Sequence, residues 1–385
     1  MSLRDHANSI EPPEPLGHVD VGPDGGEFTD IRTTEPLTDW THIFARFGLD
    51  PNLFEIVDDT VRMSHWQQSA RTADGDRDLI NLYSYRAQFR RRMDTIDLPA
   101  LYMTANASST PPKSRKASNS THATVVVFAD PQIGKTGRRG GTPELIARIA
   151  EKRAQLKQLL EHRKPSRLVL ADAGDGFEGF NSGGNPMFTN DLSLAQQMDA
   201  YGVELFKFIE LMCVHGPVDV LAVPSNHTAW RNGKQQLGNP QDDLGLFVHR
   251  QVQKIVEAKG LDATWHYPAP YDESVAVDVD GTRIGLVHGN QFNSGQCVQW
   301  WEKQTFGAQA VAGCDVLVHG HYHSFAANVA GRNPVTSRQR WALGAPTLDN
   351  GSDWYRQIAG RDSDPGLLVF DVDVSGFDLG SLVIL

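Results

Sequence analysis

From residue 124 onward the chain repeats one pattern: a short apolar run, an abrupt polar stop, then a stretch with helical spacing. The runs "TVVVFA", "RLVLADA", "VDVLAVP", "RIGLVHG" and "VLVHG" lack the polar alternation of a half-solvated strand. Continuous apolar strands of that length are buried on both faces, as in a mainly parallel sheet covered by helices. Thr142 and Pro143 open the first intervening helix, expected over about 142–163, where Leu145, Ile149, Leu156, Leu159 and Leu160 recur at helical spacing. Further helices are expected at about 194–214 and 241–259. The pattern then changes to hairpins: "SVAVDVDGTRIGLVHG" turns at Asp280 and Gly281, and "GLLVFDVDVSGFDLGSLVIL" reads as more strands. The expectation is an α/β domain over 124–385, a β sandwich flanked by helices.

The first third of the chain is organised differently. Residues 1–35, rich in Pro, Gly, Asp and Glu, are expected to form a flexible arm. Residues 36–103 read as a small α+β module: a short helix with Trp40, Ile43, Phe44 and Phe47, capped by Thr38 or Asp39 and stopped at Gly48, then two extended stretches. "TVRMSHWQQSA" and "LYSYRAQFRRR" flank an Asp-Gly turn signal, and Tyr83, Tyr85, Ala87 and Phe89 alternate with polar residues, so one hairpin face is expected to be packed. Residues 104–123, small, polar and prolyl, read as a linker.

Composition narrows the function. A net charge of −11 argues against bulk attraction to nucleic acid or anionic membrane. The three cysteines, Cys213, Cys297 and Cys314, are odd in number and sit in apolar surroundings, as free thiols of a reducing compartment do. No apolar run approaches the length of a membrane span, and the N-terminus lacks a signal-peptide core. The sequence therefore reads as a soluble, cytoplasmic protein with no membrane partner.

Each strand ends in residues with chemistry to offer. The ends carry Asp130 and Gln132; Asp172, Asp175 and Glu178; Asn226 and His227; His288; and His321 and His323. The C-terminal edge of such a sheet ordinarily hosts sites, so five ends can converge on one cleft. Carboxylate, amide oxygen and imidazole form a mixed ligand set suited to Mn²⁺, Fe or Zn²⁺ rather than Ca²⁺. The donors exceed what one ion needs. Two cations about 3.5 to 4 Å apart lower the pKa of water and neutralise phosphoryl oxygens, which points to phosphate ester hydrolysis. Asp175 is preferred over Asp172 as a ligand because it follows a glycine, and His319, still within its strand, reads as a buried hydrogen-bonded residue.

The order D-x-Q, GD-x-x-E, S-NH, H-G and GH-x-H resembles the five motifs of the calcineurin-like metallophosphoesterases over about residues 124–350. The resemblance implies a four-layer α/β/β/α metallophosphoesterase sandwich and a hydrolase of phosphomonoesters or phosphodiesters. It implies that Asp130, Gln132 and His323 hold a first metal, that Asp175 bridges both, and that Asn226, His288 and His321 hold a second. His227 would protonate the leaving oxygen. The chain departs from the pattern: Gln132 stands where His is usual, Ser225 replaces a glycine, Thr228 an acid, and Glu178 an aspartate. An amide oxygen at 132 favours Mn²⁺ over Zn²⁺ at the first position, if Gln132 ligates at all.

Two other readings follow. The DNA nucleases of the Mre11 and SbcD kind share the motif order, and "YRAQFRRR" and "KSRK" mix basic and aromatic residues, so a nucleic acid substrate is open. Against it, residues 35–97 hold eleven acids to eight arginines, a net of −3. A catalytically silent metal-binding scaffold is the reading of another class, kept open by Gln132 and Thr228. Lys135, Arg138, Arg139 and Arg231 are placed either to meet substrate phosphates or merely to solvate loops, and Trp300, Trp301 and Phe306 are expected in a helix core.

Overall fold

In the computed structural model the chain divides into two compact units, residues 1–95 and 96–385. The structure describes residues 17–22, 25–52, 54–71, 77–91, 120–180, 190–232, 235–351 and 363–385. The Asp74-Gly75 turn, Arg92, the "KSRK" stretch and the linker up to residue 119 lie outside the described residues.

The N-terminal unit is an antiparallel sheet closed by one short helix. Its strands are β1 (His18–Gly22), β2 (Gly25–Thr33), β3 (Phe54–Ile56), β4 (Arg62–Arg71) and β5 (Arg77–Arg91), with helix α1 (Thr41–Arg46) between β2 and β3. Strand β5 is the hub, paired with β2, β3 and β4. Tyr85, Ala87 and Phe89 turn inward as the alternation predicts, and Phe28, Ile31, Ile43 and Phe44 complete the core. The Phe28 ring lies 4.6 Å from Phe89 and 5.2 Å from Phe44.

One expectation is overturned. Residues 18–22 and 25–33, read as part of a flexible arm, form two paired strands. Their pattern is hidden because the register with β5 shifts between Phe28 and Ile31, so both reach the core although three residues apart. An extra residue in a strand removes the period of two that sequence reading relies on.

The second unit alternates strand and helix: β6 (Ala123–Phe128), α2 (Thr142–Arg163), β7 (Arg167–Asp172), α3 (Leu194–Cys213), β8 (Val218–Ala222), two short strands β9 (Arg231–Asn232) and β10 (Gln235–Gln236), α4 (Leu244–Ala258) and β11 (Ala263–His266). It continues through β12 (Ser274–Val279), β13 (Thr282–Val287), α5 (Cys297–Phe306), β14 (Val316–His319), β15 (Ala326–Arg332), β16 (Gln339–Gly344), β17 (Leu368–Asp373) and β18 (Gly376–Ile384). Two larger sheets result, ordered β11-β8-β7-β6-β17-β18 and β12-β13-β14-β16-β15. Both are mixed: β11, β8, β7 and β6 run parallel, as do β13, β14 and β16, and the remaining strands are antiparallel.

The continuous apolar runs are explained by burial on both faces. Val126, Phe128, Leu168, Leu170 and Val220 pack with Leu145, Leu205 and Val252 of α2, α3 and α4. Their neighbours Val125, Val127, Val169 and Leu221 face Val277, Ile284, Leu286, Val316 and Val318 of the other sheet. On that sheet Val287, Leu317 and Ala342 cluster with Cys297 and Trp301 of α5. Helix α2 starts as read from Thr142 and Pro143; Glu144 accepts from the Gly141 amide at 2.8 Å and Asp191 from the Thr142 amide at 2.6 Å. The register aligns Phe128, Asp172 and Ala222 in one sheet and Val287, His319 and Gly344 in the other, so the chemistry-bearing loops leave from level strand ends.

Candidate metal centre

The loops after those strand ends meet. Asp130 and Asp175 are joined through the backbone: the Asp130 amide donates to Gly174 O at 3.1 Å and the Gln132 amide to Asp175 O at 2.9 Å. His288 Nδ1 donates to Ala173 O at 2.7 Å, and the His321 amide donates to the Asp130 carboxylate at 3.0 and 3.1 Å. Five site residues hold left-handed backbone conformations: Asp130 (φ 50°), Gln132 (φ 45°), Asp175 (φ 51°), His321 (φ 67°) and His323 (φ 55°). Such conformations are costly for non-glycine residues, persist only where surroundings impose them, and cluster at functional sites. Gly320 permits the tight approach, since a Cβ there would sit 2.4 Å from Asp130 Oδ2.

Three donor atoms, from Asp175, His288 and His321, lie within 4.8 Å of one another. Asp175 is 1 % exposed and its Oδ2 makes no hydrogen bond, although His288 Nε2 lies 3.2 Å away. Because His288 Nδ1 is spent on the Ala173 carbonyl, Nε2 faces the site, where Asn226 Oδ1 sits at 2.7 Å. Imidazole nitrogen, amide oxygen and carboxylate oxygen thus converge in a buried space. That arrangement fits a divalent cation and is costly without one. Burial, aided by the neighbouring His288, pushes His321 down to about 4, so its ring is neutral and its lone pair free at pH 7. His288 is raised: burial opposes the shift, and the Asp175 carboxylate overcomes it.

His227 borders this group. Nδ1 donates to Glu178 O at 2.9 Å and lies 3.3 Å from Glu178 Oε2, while Nε2 is 3.7 Å from Asp175 Oδ2. Burial lowers its pKa, but Asp175 and Glu178 outweigh burial and raise it to about 9. The Gln132 amino nitrogen lies 3.3 Å from His227 Nε2.

Two of the unusual residues, Ser225 and Thr228, share one buried chain. The Asp175 amide donates to Ser225 Oγ at 2.8 Å, Ser225 Oγ lies 2.7 Å from Thr228 Oγ1, and Thr228 donates to Asp243 Oδ2 at 2.6 Å. Asp243, which caps α4, supplies a buried carboxylate from another element; burial pushes it up to about 6. Asp172 takes no part in the centre: its Oδ2 accepts from Tyr201 at 2.5 Å and lies 3.1 Å from His249 Nε2.

Around Asp130 the neighbouring polar groups are bonded to one another. The Gln132 amide oxygen, expected as a ligand, accepts from Lys135 Nζ at 2.6 Å. Lys135, one of the candidate phosphate contacts, is buried and also pairs with Asp349 at 2.6 Å. His323 lies between two carboxylates, Nε2 at 3.6 Å from Asp130 and Nδ1 at 3.4 Å from Asp349. Asp349, Thr347 and Asp243 were not singled out from the sequence; for the first two the signal was present, since "GAPTLDN" is another polar stop after an apolar strand.

Two of the other basic candidates are also engaged. Arg231 donates to Asn226 O at 2.9 Å and Arg139 to Ser363 O at 2.8 Å. In the N-terminal unit Arg86 and Arg90 are held by Glu27 and Glu55 at 2.6 and 2.8 Å. Trp301 is core, whereas half-buried Trp300 lines an open cavity of about 220 Å³ with Asn290, Gln291, Phe292 and Lys303, in and beyond the loop that follows His288. All three cysteines are free and buried, and burial pushes each thiol up to about 12. No helix among the described residues is long and apolar enough to cross a membrane.

No known protein family and no curated protein matches the chain by sequence. Similar solved structures include Vps29 from Entamoeba histolytica complexed with Zn²⁺, at 12 % identity over 68 % of this chain and 97 % of that one, TM-score 0.30. Vps29 from Chaetomium thermophilum, complexed with a cyclic peptide, is 11 % identical over 69 % of this chain and 95 % of its own, TM-score 0.30. A structure of PhoD is 9 % identical over 94 % of this chain and 83 % of its own, TM-score 0.31.

Proposed function

We propose that the chain is a metal-dependent hydrolase of phosphate esters. One observation carries this reading: Asp175, His288 and His321 converge with a buried Asp175 oxygen that no hydrogen bond satisfies, beside an imidazole held ready to give up a proton. Asp175, Asn226, His288 and His321 would hold the cation, and their mixed oxygen and nitrogen set suits Mn²⁺, Fe or Zn²⁺. A bound divalent cation supplies Lewis acidity, lowering the pKa of water and offsetting phosphoryl charge. His227, oriented by Glu178, would protonate the leaving oxygen from Nε2. A four-layer α/β/β/α arrangement belongs to the same reading, supported by the three apolar clusters of the second unit.

The test is hydrolysis of bis-p-nitrophenyl phosphate and p-nitrophenyl phosphate by metal-stripped protein titrated with Mn²⁺, Zn²⁺ and Mg²⁺. Turnover that requires a cation and collapses in Asp175→Asn and His227→Ala is the expected result. Cation binding without turnover of either ester would replace it with the scaffold reading, which the engagement of Gln132 by Lys135 favours.

A further inference from the structure

We infer that the centre binds a single exchangeable divalent cation, and that Lys135 supplies a second positive charge as a fixed ammonium seated between Gln132 and Asp349. The inference rests on the proposed metal centre and specifies its charge.

Lys135 is anchored at both ends. Nζ lies 2.6 Å from Gln132 Oε1 and 2.6 Å from Asp349 Oδ2, its backbone amide donates to Gln132 O at 3.1 Å, and Asn350 Nδ2 donates to its carbonyl at 2.9 Å. A lysine with 4 % exposure and two short charge-assisted bonds is part of the site's framework. Asp130 and Glu178 act on the same ammonium through space.

The first metal position implied by the family resemblance is correspondingly spent. Gln132 could ligate only through its oxygen, and that oxygen is on Lys135. What it turns toward His227 Nε2 and His323 Nε2, at 3.3 and 3.4 Å, is an amino group, a donor that binds no cation. His323 lies between Asp130 and Asp349, and Asp349 already answers Lys135. A divalent ion here would meet a buried ammonium and an amide donor. At Asp175, Asn226, His288 and His321 the converging atoms are carboxylate, amide oxygen and imidazole; His288 Nε2 gives up the proton it shares with Asn226 Oδ1 at 2.7 Å when a cation enters, and no ammonium or amide donor stands among them. At position 132 the amide oxygen accepts from Lys135, which leaves the amino nitrogen, no metal ligand, against the two imidazoles.

The test counts metals. Metal-stripped full-length protein is dialysed against Mn²⁺ or Zn²⁺, bound metal per chain is measured by mass spectrometry, and circular dichroism checks the fold of each variant. One cation per chain is expected, its affinity falling roughly tenfold or more in His321→Ala and staying within about threefold in His323→Ala. Mn²⁺ electron paramagnetic resonance should show the six-line spectrum of an isolated ion. The double variant Gln132→His/Lys135→Met should admit a second cation. Two cations in the wild type, an exchange-coupled spectrum, an ion that depends on His323 rather than His321, no bound ion, or a folded double variant that still takes one, would each overturn the proposal. Ester turnover is read on the same samples: one cation without turnover removes the hydrolase reading and leaves the single-cation centre standing, while two cations with turnover does the reverse.

Discussion

The Nδ1 of His227 donates to the backbone carbonyl of Glu178 at 2.9 Å, which leaves Nε2 as the one ring nitrogen directed at Asp175 and the candidate metal centre. A ring fixed in this way has one proton to offer in one direction. His227→Ala should lower kcat by about 10² to 10⁴-fold for an alkyl phosphodiester and by less for bis-p-nitrophenyl phosphate, whose leaving group needs little protonation. Rates across a series of leaving groups check this; an equal loss for all would make His227 a positioning residue only.

The same ring sets an alkaline limit. Asp175 and Glu178, acting against burial, keep His227 protonated up to about pH 9, so the acid form persists through neutrality and is lost above it. A cation on Asp175 takes up part of that carboxylate's charge and moves the limit to lower pH. The kcat profile of the wild type should fall on the alkaline side at or below about 9, and the fall should vanish in His227→Ala.

Cation binding should release protons. His288 is raised above the ordinary imidazole value, so it must lose a proton before Nε2 can ligate, while His321, at about 4, is already neutral. Affinity should rise with pH near neutrality, by about tenfold per unit for each proton released. Calorimetry in two buffers of different ionisation enthalpy measures the release; a heat independent of buffer would refute it.

Without metal, stability should fall as pH rises above neutrality. Folding raises His227 to about 9 and His323 to about 10; in each, burial opposes the shift and neighbouring carboxylates overcome it. A raised pKa means that the folded state holds the extra proton, so the gain is complete below the unfolded value of about 6.5 and is lost as pH climbs through 9 to 10. The buried thiols, raised to about 12, add to the loss only above about pH 8.5. Urea midpoints of stripped protein should therefore decline between pH 6.5 and 8.5, less steeply in His323→Gln. A flat profile would contradict the ring's placement between Asp130 and Asp349.

Removing one half of a buried pair leaves the other uncompensated. Lys135→Met should cost about 3 to 5 kcal/mol, because Asp349 stays buried with the His323 ring and the Gly351 amide to answer it. Lys135→Met/Asp349→Leu should recover part of that loss, and urea unfolding of the four proteins gives the coupling. Additive losses would mean that the two residues do not act as a pair.

Helices α2, α3 and α4 and the strands ending in Asp130, Asp172 and Asn226 were legible because their signals are local: a cap, a period of 3.6, or a run apolar on both faces. Strands β1 and β2 were not, because the bulge between Phe28 and Ile31 breaks the period and acidic and glycine residues resemble solvated chain. Asp243 was missed since its role comes from a contact with Thr228 fifteen residues earlier. Asp349 stands at a polar stop that was legible, but its tie to Lys135, 214 residues away, has no local signal.

The sequence by itself determined which residue types stand at the strand ends and in what order, because apolar runs dictate strands and the chain must turn where they stop. Only the tertiary structure decided which of those residues share a site. Asp172 and Asp175 are three positions apart in one loop, yet one is consumed by Tyr201 and His249 and the other is left with a bare oxygen beside His288. Gln132 stands in the D-x-Q motif and Lys135 beyond it as a candidate phosphate contact, and packing turned them on each other. Ligand identity belongs to the residue, but whether its lone pair is free depends on the neighbours that long-range packing brings, and no local pattern carries that information.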